Sequence, residues 1–135
     1  QLLQATLSGD VETVAELIEQ AHQANVSILK YNDENALSCV ISLAYYSAQK
    51  NYTLYREMPA GKGFADIVFE PNRNCDLPAL IVELKWGHSA EEAVEQIKQK
   101  DYLDCLKNYS GEVLLVGVNY DKEKRHTCRI ERVKI

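Results

Sequence analysis

No apolar run in these 135 residues approaches the ~20 that a membrane-crossing helix needs, and no signal-peptide pattern is present. Cysteine pairs are missing too. Cys39, Cys75, Cys105 and Cys128 stand far apart with no CxxC, which reads as reduced thiols in a cytoplasmic protein rather than a disulfide framework. His22, His88 and His126 are scattered, so a zinc site has little support. The phosphate-binding pattern GxxxxGK[ST] is absent, because Gly61-Lys62-Gly63 leads into a strand and not a helix. Residues 1–29 lack Lys and Arg altogether and carry −4, while residues 121–135 carry +3 and residues 30–120 carry −4. A net charge of −5 counts against tight phosphate-backbone binding by this stretch alone, since that affinity comes from Lys and Arg. It leaves a metal-dependent site open.

What is present is enough apolar sequence, 46%, to build one domain with its own core. The first residue is Gln1, which fits a piece cut from a longer chain. Residues 2–24 read as one or two helices punctuated by Ser8-Gly9-Asp10, with Val11, Val14, Ala15, Leu17 and Ile18 on one stripe. The segment SGDVETVAELI resembles half of an ankyrin repeat, but without a second copy the expectation is a helix pair packed at the domain's edge. Asn32-Asp33 offers an N-cap for a helix to about residue 49, buried along Leu37, Val40, Ile41, Ala44 and Ala48. Glu34 falls in its first turn on that buried side, where the helix dipole alone favours an acid.

Strands are expected at 51–59, 63–70, 79–86, 112–119 and 125–135. Ser89 and Glu92 form a capping-box pattern for a helix over 90–107, with Ala90, Ala93, Val94 and Ile97 on one stripe. Gln96 and Lys100, four apart, lie toward the side of that stripe, and a rotated stripe at Leu103 and Leu106 predicts a bend near Lys100. The result is an α/β fold, a mixed central sheet flanked by helices.

The chemistry concentrates in residues 61–85. Asp66 interrupts one apolar strand, and Glu83 and Lys85 interrupt the next, two apart and so on one face. Ionisable groups in strands this apolar are costly unless paired or bound to a cation. Two carboxylates on adjacent strands suit a hard cation such as Mg²⁺, which is commonly held by one or two carboxylates plus water and phosphate oxygens. Lys85 is then placed to orient an attacking water or meet phosphorane charge, and Gln96 to position that water. A buried ion-pair network without metal fits the same three residues.

A lone acid, then Glu-x-Lys on the following strand, a preceding helix with Glu and a following helix with Gln resembles the PD-(D/E)XK nuclease superfamily. The blocks NDENAL, GKGFADIVF, LIVELKW, AVEQIKQKDY and VLLVGVNYD look like its bacterial branch, usually found C-terminal to an AAA-ATPase-like domain. The resemblance covers roughly residues 30–135 and implies a restriction-endonuclease-like αβββαβ core over 31–135 behind a helical extension, 1–30. It implies Asp66 and Glu83 as ligands of Mg²⁺ or Mn²⁺, with the Leu84 carbonyl, and Glu34 as an accessory acid. Lys85 would be the catalytic lysine and Gln96 the helix-borne polar residue. Tyr102 matches the family's aromatic, but six residues from Gln96 it falls on another helix face and reads as structural. Ala65 replaces the nominal Pro before the aspartate. The implied reaction is phosphodiester hydrolysis, with DNA as the expected substrate; the alternative is an inactive nuclease-fold module serving an attached ATPase. Lys62, Lys98, Lys100 and Arg125, with the basic residues after 121, are the candidate nucleic-acid contacts, although a solvated edge strand accounts for such charges equally well.

Overall fold

The two apolar strands around Asp66 and Glu83 become neighbours in the middle of a five-stranded sheet. A computed structural model describes residues 2–25, 45, 50–60, 63–73, 75–100, 106, 109–120 and 126–135. In chain order the elements are α1 (Leu2–Ser8), α2 (Val11–Asn25), β1 (Tyr52–Ala60), β2 (Gly63–Pro71) and β3 (Ala79–Trp86). They continue with α3 (Ala90–Gln99), β4 (Glu112–Tyr120) and β5 (His126–Lys134). The sheet order is β1-β2-β3-β4-β5, antiparallel except for β3 and β4, which run parallel and are joined through α3. The fold is thus α/β with a mixed sheet, as the residues predicted.

β4 is buried at every position from Val113 to Tyr120, the pattern of a strand covered on both faces. One face carries Ile67, Phe69, Leu80, Val82, Leu84, Leu114, Val116 and Val118, packed with Leu2, Ala5, Val14 and Ile18 from α1 and α2. The other carries Val68, Ala79, Ile81, Val113 and Leu115 against Val94 and Ile97 of α3. The N-terminal helices therefore share the sheet's core. Asp10 separates them as the sequence suggested: its carboxylate accepts from the Thr13 amide (3.2 Å) and hydroxyl (2.6 Å) at the start of α2. The Thr6 hydroxyl, which donates to the Leu2 carbonyl, also meets the Tyr45 hydroxyl at 2.6 Å inside that core.

The expected helix over 33–49, and Glu34 with it, lies outside the described residues, Tyr45 apart. The helix expected over 90–107 differs: α3 ends at Gln99, with Lys100 as its C-cap, where the apolar stripe rotates. Residues 101–105 lie outside the described set, and Leu106 is buried in the α3-side core.

Two glycines set how α3 lies on the sheet. Gly87, at φ 72°, makes the turn out of β3, and its amide donates to the Tyr120 carbonyl (2.8 Å). Gly117, in the middle of β4, lets the first turn of α3 approach the strand. A Cβ there would come within 2.3 Å of the Ala90 carbonyl oxygen and 2.9 Å of Val94 Cγ2. Gly117→Ala is accordingly expected to destabilise the fold by roughly 2 kcal/mol through overpacking, measured as a lowered urea midpoint; an unchanged midpoint would contradict this packing.

Candidate active site

The sheet forks at Asp66. β1 and β2 stay paired from Tyr52↔Pro71 to Ala60↔Gly63, whereas β2 and β3 pair only from Phe69↔Leu80 to Ile67↔Val82. β3 meanwhile keeps its register with β4 through to Trp86↔Tyr120. One residue beyond the last β2–β3 pair, the Asp66 carboxylate replaces the missing ladder partner, its Oδ2 accepting from the Leu84 amide at 2.8 Å. Because the N–H and C=O of one strand residue point to the same side, the Leu84 carbonyl also faces this fork.

Alternation puts Asp66 on the face of Val68, and Glu83 and Lys85 on the face of Ile81. Both are the α3 face. The structure thus brings the acid and the acid–lysine pair to one side of the sheet, at the carboxyl ends of its two parallel strands. Asp66 and Lys85 are half-buried, and Glu83 is 1% exposed, beside the bare backbone of Gly117. Burial, and then the nearby charge of Asp66, push the Glu83 carboxyl up to about 7. Lys100 pulls the other way: its Nζ donates to Glu83 Oε2 at 2.8 Å. Glu83 Oε1 is buried with no donor among the described residues, and the Asp66 carboxyl lies close enough to the Glu83 carboxyl to share a proton with it.

Lys100, expected beside the buried stripe and among the candidate nucleic-acid contacts, turns in toward Glu83 because α3 carries its C-cap over β3, one turn beyond half-buried Gln96. The four-residue spacing of Gln96 and Lys100 beside the buried stripe was the available signal. Asn119 was missed altogether. Level with Lys85 on β4, it accepts from the His88 amide (3.0 Å) and donates to the His88 carbonyl (3.1 Å), clamping the turn into α3. Ser89 then caps α3 by accepting from the Glu92 amide, 3.0 Å; the Glu92 carboxylate meets the His88 ring at 3.1 Å. Among the outer cations, Lys98 pairs with Glu131 (2.8 Å) and Glu95 (3.6 Å). Arg132 pairs with Glu112 and donates to the Leu7 carbonyl. Lys62, Arg125 and Glu34 lie outside the described residues. Among the described residues, no three His, Cys, Asp or Glu side chains gather into a metal-binding group.

A family model described as PD-(D/E)XK nuclease superfamily matches residues 32–130. The chain belongs to the PD-(D/E)XK nuclease superfamily. No curated protein matches it. Members of the PD-(D/E)XK superfamily are usually hydrolytic nucleases and generally use divalent metals. The residues at the fork fit such an ion. Two carboxylates converge, the charge of Asp66 helping to raise the Glu83 carboxyl, and one buried Glu83 oxygen has no donor among the described residues.

The raised Glu83 carboxyl has a measurable sign. Its ordinary value is 4.5, so between about 4.5 and about 7 the folded chain holds the proton that the unfolded chain has lost. In EDTA, stability contributed by this group should fall as pH rises through that window, by roughly 3 kcal/mol. Glu83→Gln should remove that component, seen as a flatter pH dependence of the urea unfolding free energy. Parallel pH curves for the two proteins would contradict the burial.

Proposed function

We propose that this PD-(D/E)XK domain is a divalent-metal-dependent phosphodiesterase acting on DNA, with Mg²⁺ or Mn²⁺ held by Asp66, Glu83 and the Leu84 carbonyl. The observation that supports it most is the convergence of Asp66 and Glu83 at the fork, with Glu83 Oε1 buried and lacking a described partner. A divalent cation there supplies positive charge against a phosphodiester and acidifies water at neutral pH. The chain's own groups do the rest. Asp66 is oriented by the Leu84 amide, which keeps its carboxylate from rotating away. Lys85, on the same face and two residues beyond Glu83, presents an ammonium to a developing phosphorane or to the attacking water. Gln96, half-buried on α3, positions that water by hydrogen bonding, and Glu34 adds an accessory acid.

DNA contact through Lys62, Lys98, Lys100 and Arg125 belongs to this reading. Lys98 is shared with Glu131 and Lys100 with Glu83, so each would exchange a carboxylate for a phosphate on binding. A cytoplasmic setting, with an AAA-ATPase-like domain ahead of residues 31–135 in the same chain, completes the proposal. No described helix is long and apolar enough to cross a membrane.

A second reading, an inactive nuclease-fold module serving such an ATPase, is favoured by one contact: Lys100 already neutralises Glu83 in part. Cleavage assays separate the two. With Mn²⁺ and plasmid or single-stranded DNA, Asp66→Asn and Lys85→Ala are each expected to cut activity by a hundredfold or more while leaving the circular-dichroism melt intact. No cleavage of any DNA by the parent protein with either metal would leave the binding module.

A further inference from the structure

Lys100 sits at the C-cap of α3, its side chain one-fifth exposed, with Nζ 2.8 Å from the buried Glu83 carboxylate. The geometry points to Lys100 as a resident counter-cation of the metal site, balancing Glu83 until a divalent ion enters and then withdrawing toward solvent. The inference rests on the metal-dependent reading above and extends it to a residue outside the strand motif.

Burial comes first. A carboxylate 1% exposed is strongly unfavourable when unpaired, and Asp66 beside it adds a second negative charge. Lys100 Nζ, 2.8 Å from Oε2, is the positive charge that the fold sets against that carboxylate. The split between the two oxygens comes next. Lys100 engages Oε2, whereas Oε1 is buried without a partner among the described residues, so an incoming cation has an oxygen to enter on before the ammonium leaves. Attachment completes the case. Lys85 is built into β3, whose pairing with β4 continues past it. Lys100 is at a helix end, on a flexible four-carbon stem one-fifth exposed to solvent, and it takes no part in the sheet's hydrogen-bond ladder. An ammonium and a divalent ion sharing one carboxylate repel each other, so the lysine that stabilises the metal-free fold also lowers the site's metal affinity.

The test is calorimetric titration of Mn²⁺ into the protein and two variants at pH 8, with melting curves in EDTA and in Mn²⁺. Lys100→Gln keeps a donor for Oε2 but no charge; Lys100→Arg keeps the charge. The expected result is that Lys100→Gln melts lower in EDTA, binds Mn²⁺ roughly tenfold more tightly than the parent, and recovers its melting temperature when the ion is added. Lys100→Arg should bind no more tightly than the parent. If Lys100→Gln does not fold in EDTA, chelator competition starting from the Mn²⁺-loaded variant makes the same comparison. Unchanged or weaker Mn²⁺ binding by Lys100→Gln, with parent binding intact, overturns the counter-cation role and leaves the metal site standing. Absence of Mn²⁺ binding in the parent and both variants overturns the metal reading, and this inference with it.

Discussion

A carboxylate set almost out of reach of water is the constraint around which this domain is arranged. Glu83 lies on a strand buried on both sides, next to another acid, and its charge is tolerable only with compensation close by. The surrounding features supply room and balance for it. Gly117 leaves space on β4 for α3 to lie close, α3 delivers Lys100 to Oε2, and Asn119 and Gly87 set the turn that aims the helix. The parting of β2 from β3 adds an opening on the remaining side.

That parting is itself a side-chain effect. Asp66 takes the Leu84 amide in place of a ladder carbonyl, so the strands separate without stranding a buried donor. One residue thereby takes up the amide that the ladder leaves over and fixes its own orientation, while the Leu84 carbonyl, on the same side of β3 as that amide, faces the same gap. Sites built on regular strands hold geometry better than sites on loops, and here the carboxylates stand on the two central antiparallel strands of the fork.

Much of this was legible in the residues. The period-two placement of Glu83 and Lys85, the lone acid on the preceding strand and the Ser89 cap all rest on local rules, and the strand over 79–86 has the predicted limits. Lys100 was harder because a lysine at a helix end ordinarily snorkels to solvent; only the tertiary placement of α3 over β3 turns it inward. Asn119 was harder still. Its role is to satisfy the backbone of His88, thirty-one residues away in sequence, and nothing local to EVLLVGVNY announces that partner. The stripe change at Lys100 was visible too, and α3 ends there, at Gln99 with Lys100 as its C-cap.

The N-terminal helices carry a practical consequence. Family resemblance begins at residue 32, which invites trimming everything before it. Yet Val14 and Ile18 lie completely covered against the sheet, in one cluster with Phe69, Leu80 and Val116, and Arg132 on β5 reaches back to the Leu7 carbonyl. A shortened version would bare a broad oily surface on the side away from the fork at Asp66, and its expected behaviour is clumping rather than clean expression. The smallest workable unit is set by which surfaces must stay dry, and it is larger than the stretch that family likeness marks out.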